Sequence, residues 1–275
     1  MSNDYFSVCI PLRHLFGFCE DYKRILMNCS QQLILNRASN DMDALQIFET
    51  DNTKAIELSK TKIILNKVLW KMPMIKVANK EKLRLMKVID SHKSIKCPFR
   101  TWELAEYPFL PTNTRHSWSV RTCNNLEKPR YVIIGFQTDR KNTGSKSMAV
   151  FDHCNLTNLK VYLNTQVYPY EDFRADYPNN LYSLFYNSYI QFQRTYYDRD
   201  WASPLLNHSK FKDIMPVAVI DMSRQDDDIK INSGLDLRLE FEFSNAVPEK
   251  TTAYCLVIHD QIIIYNPFSG DVRKL

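Results

Sequence analysis

At 275 residues, 44% hydrophobic and 24% charged, with a net charge of +5, the sequence has the composition of a folded globular protein and not of a disordered one. A chain of this length buries a full core without disulfides or metal, and its 5 glycines argue against Gly-rich phosphate-binding loops. Its 7 cysteines are odd in number and lack a C-x-x-C pair, which reads as free thiols in a reducing compartment rather than a secreted disulfide framework.

The opening MSNDYFSVCIPL has neither the basic region nor the apolar stretch of a signal peptide. A short strand is expected at Tyr5 to Ile10, a partly helical stretch after Pro11, and a strand at Gln31 to Arg37. From Lys60, TKIILNKVLWKMPMIKV reads as one strand broken near Pro73, or as two strands. Asn79 can cap a helix running to about Asp90, with Leu83, Met86 and Ile89 on one face. Cys97 to Leu126 is β-like but interrupted by prolines, and YVIIGFQT from Tyr131 is a buried strand.

DRKNTGSKS is the expected flexible tip, followed by short strands at Met148 to Phe151 and Leu159 to Leu163. The main helix is predicted near 178–197, started by Asp176 and Pro178, with an apolar stripe of Leu181, Leu184, Phe185, Tyr189, Phe192 and Tyr196. In GLDLRLEFEF, Leu235, Leu237, Leu239, Phe241 and Phe243 alternate with Asp236, Arg238, Glu240 and Glu242, the pattern of a strand with one wet side. TAYCLVIHDQIIIYN reads as a hairpin turning at His259 to Gln261, before a last strand near Val272. The expected fold class is all-β, mainly β with one or two helices, a jelly-roll β-sandwich. Its domain division is 1–100, carrying a basic segment, and 101–275, carrying the main helix.

Charge is uneven. Residues 54–100 hold thirteen basic and three acidic side chains, a local +10 that leaves −5 for the rest of the chain. Lys62, Lys67, Lys71 and Lys76, set among apolar residues, are candidates for non-specific nucleic-acid contact or for a subunit contact. Lysine outnumbers arginine there, which disfavours base readout. Asp236, Arg238, Glu240 and Glu242 are the candidate opposing surface between copies.

Chemistry-bearing motifs are few. TGSKS lacks the upstream glycine of a Walker loop, and there is no G-x-S-x-G or H-E-x-x-H. His153 beside Cys154 is the only local His/Cys pair, and Asp226, Asp227 and Asp228 read as a solvated turn or a weak cation site. No catalytic, cofactor-binding or metal residue is assigned, so the expectation is a non-enzyme without cofactor.

Several long strings are similar to a known family. FSVCIPLRHLFGFCEDYKRIL with QQLILNR, VFDHCNLTNLKVYLN with YPYEDFRADYPNNLYSLFYNSYIQFQ, IDMSRQDDDIKINSGLDLRLEFEF and AYCLVIHDQIIIYNP resemble the double jelly-roll proteins of Maverick/Polinton-type virus-like elements in arthropod and other animal genomes. The resemblance runs from about Phe6 to the C-terminus. It implies a double jelly-roll-like fold and a capsid-like structural protein that self-assembles as a homotrimeric capsomer, located inside the cell or in a virus-like particle, with no membrane partner. At 275 residues the chain is short for two complete barrels, so it reads as a truncated or host-retained version or a part of a longer product. The alternative is a domesticated jelly-roll binding module for a host protein, glycan or nucleic acid.

Overall fold

Strict alternation along one seven-residue strand organises half of the sandwich. The structure, a computed structural model, describes residues 5–46, 62–120, 129–143, 145–199, 203–224 and 236–275. Its strands are β1 (Ile95–Tyr107), β2 (Arg115–Val120), β3 (Pro129–Thr138), β4 (Leu156–Leu163), β5 (Gln166–Tyr168), β6 (Ala218–Asp221), β7 (Leu237–Phe243), β8 (Thr251–Tyr265) and β9 (Val272–Lys274). Its helices are α1 (Gly17–Asp21), α2 (Asn79–Asp90), α3 (Ser183–Tyr197) and α4 (His208–Ile214). The strands form two sheets, β1-β8-β3-β6 with β9 on β8, and β2-β7-β4-β5. The fold is mainly β, as the sequence predicts.

Two compact units divide the chain. The first combines Met1–Leu35, Leu65–Trp102 and His259–Leu275, and the second combines Asn36–Ile64 with Glu103–Ile258. Each unit gathers segments remote in sequence.

In the second unit, Leu237, Leu239, Phe241 and Phe243 of β7 are buried, because period-two geometry turns all four to one face. Antiparallel register places Leu163, Val161 and Leu159 of β4 beside Leu237, Leu239 and Phe241, so both strands bury the same side. From the other sheet, the Phe136 ring of β3 meets Phe241 at 5.6 Å and Phe243 at 5.2 Å, both edge-on. Helix α3 buries Phe185, Tyr189, Phe192 and Tyr196 at helical spacing. Tyr131 of β3 joins it through Phe192 at 5.0 Å and a 2.9 Å hydroxyl contact with Thr195.

The first unit is held by different means. Gly17 of α1 packs so closely on β1 that a Cβ there would lie 1.7 Å from the Arg100 carbonyl oxygen. Asp21 accepts the Arg100 backbone N–H at 2.8 Å and its Nε at 2.9 Å, and a terminal guanidinium nitrogen completes the pair. Phe18 stacks on Tyr22 and meets Phe99 edge-on.

Several sequence expectations are overturned. Tyr5 to Ile10, Gln31 to Arg37 and the run after Lys62 are not strands. The hairpin at His259 to Gln261 is instead one continuous strand, β8, with His259 2% exposed: strand pairing overrides the turn preference of three polar residues. Helix α3 starts only at Ser183, because Asp176 is used in a bridge to Leu181 and accepts from Asn179. Leu181 and Leu184 are therefore not in its buried stripe, at 62% and 52% exposed. On α2, Leu85 and Ile89 are the partly covered positions, while Leu83 and Met86 are exposed. Strand β6 escaped notice because its short apolar run is buried on both faces and does not alternate. Asp226, Asp227, Asp228 and Leu235 lie outside the described residues.

Candidate assembly surface

Asp236 is exposed, and Arg238, Glu240 and Glu242 alternate with the buried row of β7, which puts them on the outer face of the four-stranded sheet. The register sets Glu242 opposite Arg115 of β2 and Glu240 opposite Lys160 of β4. Arg115 Nε lies 3.2 Å from Glu242, and Arg238 lies 3.5 Å from Glu240 and 4.4 Å above the Tyr162 ring. Lys160 turns away to Asp172 at 2.9 Å and donates to the carbonyls of Pro169, Tyr170 and Glu171. The hydrogen bond to Glu240, with some help from burial, holds the Tyr162 phenol above its ordinary range.

This face is a lattice of mixed charge. Glu240 and Glu242 already have cations on the same sheet, so this part of the face offers a neighbour balanced polar contacts and not a bare acidic patch. Exposed pairs of this kind contribute about 0–1 kcal/mol each.

Lys62, Lys67, Lys71 and Lys76 are all exposed, spread along residues 62–78, where the chain makes no helix, strand, turn or bend. Lys62 belongs to the second unit and the other three to the first. Between them stand Leu65, Val68, Leu69, Trp70, Met72, Met74 and Ile75, from 39% to 85% exposed. Among the described residues, nothing hydrogen-bonds to the backbone of Leu65 to Val77. Charge counting on the sequence picked out this segment by its lysines; the exposed apolar side chains are the feature it undervalued.

The first unit exposes further large apolar groups, including Tyr5 at 80%, Phe6 at 75% and Val8 at 69%. Buried groups elsewhere in that unit, Cys97 at 0% and Tyr265 at 2%, show that it also has an interior.

A cleft of about 520 Å³ opens within the second unit, lined by Thr138, Lys146, His153, Cys154, Lys212 and Asp213 among others. The His153 ring stacks on Tyr177 at 4.5 Å, and the stack continues through Tyr182 to His208. His153 Nδ1 accepts the Asn155 N–H at 2.9 Å, which leaves the proton of the neutral ring on Nε2. Burial and then the Lys212 charge hold its pKa below the ordinary histidine value. Burial pushes the Cys154 thiol up to about 11, which favours the neutral thiol. Sequence reading missed the cleft because its walls come from four separate segments. No group of three or more metal-ligating side chains forms among the described residues, and no helix there is long and apolar enough to cross a membrane.

The sequence profile of the double jelly roll-like domain matches residues 1–263. The chain belongs to the double jelly roll-like domain family. Three viral structures are similar to this double jelly roll-like chain. One is a chain of the Sputnik virophage solved by cryo-EM, 12% identical with a TM-score of 0.38 over 66% of this chain and 39% of that one. Another is the mavirus major capsid protein, 11% identical with a TM-score of 0.37, over 66% of this chain and 41% of the other. PBCV-1 VP54, fitted into a reconstruction of Sputnik, is 11% identical with a TM-score of 0.40, over 72% of this chain and 54% of its own. The chain thus spans 39% to 54% of the lengths of these proteins. No curated protein matches the sequence.

Proposed function

We propose that this double jelly roll-like protein is a capsid-like structural protein of the Maverick/Polinton-type lineage that self-associates, as a homotrimeric capsomer-type unit. The observation that carries self-association is the apolar surface of the first unit, where Phe6, Val68, Leu69 and Met74 stand 63% to 85% exposed. Within Leu65 to Ile75 seven large apolar side chains stand exposed in one continuous stretch of chain, and concentrations of exposed apolar surface usually mark interaction sites. Membership in the double jelly roll-like family supports the capsid-like part of the reading, and the quoted sequence strings support the lineage. The role proposed is architectural.

Light scattering on the size-exclusion peak of the purified chain tests this: a mass of three chains is expected. The cleft beside His153 and its ring stack favours a second reading, a binding module, which a clean monomer would bring forward.

A further inference from the structure

We propose that Leu65–Val77, which pairs with none of the described residues, is a strand that associates by adding to a sheet edge of a second copy of this chain; the inference rests on the self-association reading and names its contact. The segment runs without turn or bend and its backbone has no hydrogen bond to any described residue. Unpaired peptide groups are tolerable only in water, yet the side chains here are those least suited to water. Pairing with a strand edge satisfies both demands at once.

The side-chain order fits a strand. With period two, Val68, Trp70, Met72 and Met74 fall on one face as an unbroken apolar row, bounded by Asn66 and Lys76. Lys67, Leu69 and Lys71 fall on the opposite face. Pro73 lacks an N–H and is confined to edge positions, which is where an added strand sits.

Three observations point to a second copy as the occupant. The seven exposed large apolar residues of the segment present on the order of 800 Å² of surface, close to the roughly 800 Å² per partner of a standard interface. Each copy also supplies edges, since β6 closes one sheet and β2 and β5 the other, whereas β1 is occupied by α1 at Arg100; β2, with six residues, is the longest of the three. Finally, Leu65–Val77 holds three lysines and no acid, and Asp221 stands exposed at the end of the β6 edge, so charge favours the contact there.

The test uses the full chain and pairs hydrogen–deuterium exchange with light scattering, on wild type and on the double variant Val68→Asp, Trp70→Asp. Both side chains are exposed, so the variant should fold, with the far-UV circular dichroism spectrum of the wild type. In associated wild type, the amides of Leu65 to Val77 are expected to be protected by about tenfold or more over those of the variant, and the variant to associate at least about tenfold more weakly. An oligomer that persists in the variant, with those amides unprotected, overturns this contact and leaves self-association standing. A wild-type monomer overturns both. Wild-type protection that appears only when nucleic acid is added, and is lost in high salt, overturns the second-copy assignment in favour of phosphate contact.

Discussion

Adjacent residues of β7 differ sharply in what their loss should cost. Phe241 is 0% exposed and touches His116, Phe136 and Phe243, whereas Glu242 is exposed enough to reach Arg115 only across the solvent side. Phe241→Ala should cost about 3–5 kcal/mol, the transfer and cavity cost of a buried aromatic. Glu242→Gln should cost no more than about 1 kcal/mol. Thermal unfolding of both variants checks the contrast. Thiols follow the same logic. Burial pushes Cys154 up to about 11 and Cys255 up to about 12, while Cys9 is exposed. A thiol reagent at pH 8 should label Cys9 in the native protein and reach Cys154 and Cys255 only on unfolding, with peptide mapping as the readout.

Asp21 gives a pH dependence with a definite sign. Burial alone would raise its carboxyl, but the hydrogen bonds and charge of Arg100 outweigh that and leave the pKa below the usual 3.8. A carboxyl with a depressed folded pKa stabilises the fold above its unfolded value and loses that contribution as the pH falls through the folded value. Arg100→Met should therefore lower stability at neutral pH and flatten its decline below about pH 4, read from melting temperatures across an acid series.

At the scale of elements, the close seat of α1 is the most sensitive point. A Cβ on Gly17 would meet the Arg100 carbonyl at 1.7 Å, so Gly17→Ala must displace backbone. It should lower the melting temperature far more than Gly135→Ala, whose new methyl meets only the movable Phe151 ring at 2.6 Å. The same scale shows what a sequence can and cannot say. β7, β4 and the body of β3 were legible, because alternation or a long β-branched run reports burial directly. Helix α3 was legible from its aromatic spacing, but its start was not, since a capping-type Asp-Pro pair also builds the turn that precedes it. Lys62 to Lys76 looked like a strand because propensity cannot tell whether a pairing partner exists. On the outer face of β7, charge type was legible, but the matching to Arg115 and Tyr162 depends on register with strands remote in sequence.

For the molecule as a whole, the apolar groups divide into two populations. The second unit buries Phe136, Tyr177, Phe185, Phe211 and Phe241 while Phe109 and Tyr170 stay exposed singly, whereas the first keeps an interior at Cys97 and Tyr265 and exposes Tyr5, Phe6 and seven large apolar residues between Leu65 and Ile75. Hydrophobic contacts between copies strengthen slightly or hold as salt rises, whereas contacts made by lysine alone weaken. Salt therefore separates the apolar part of the contact from the charged part. The direct measurement is the mass of the purified chain by light scattering on the size-exclusion peak, at low and at high salt. Three chain masses at both conditions is the predicted result, and a clean monomer at both would contradict the assembly account.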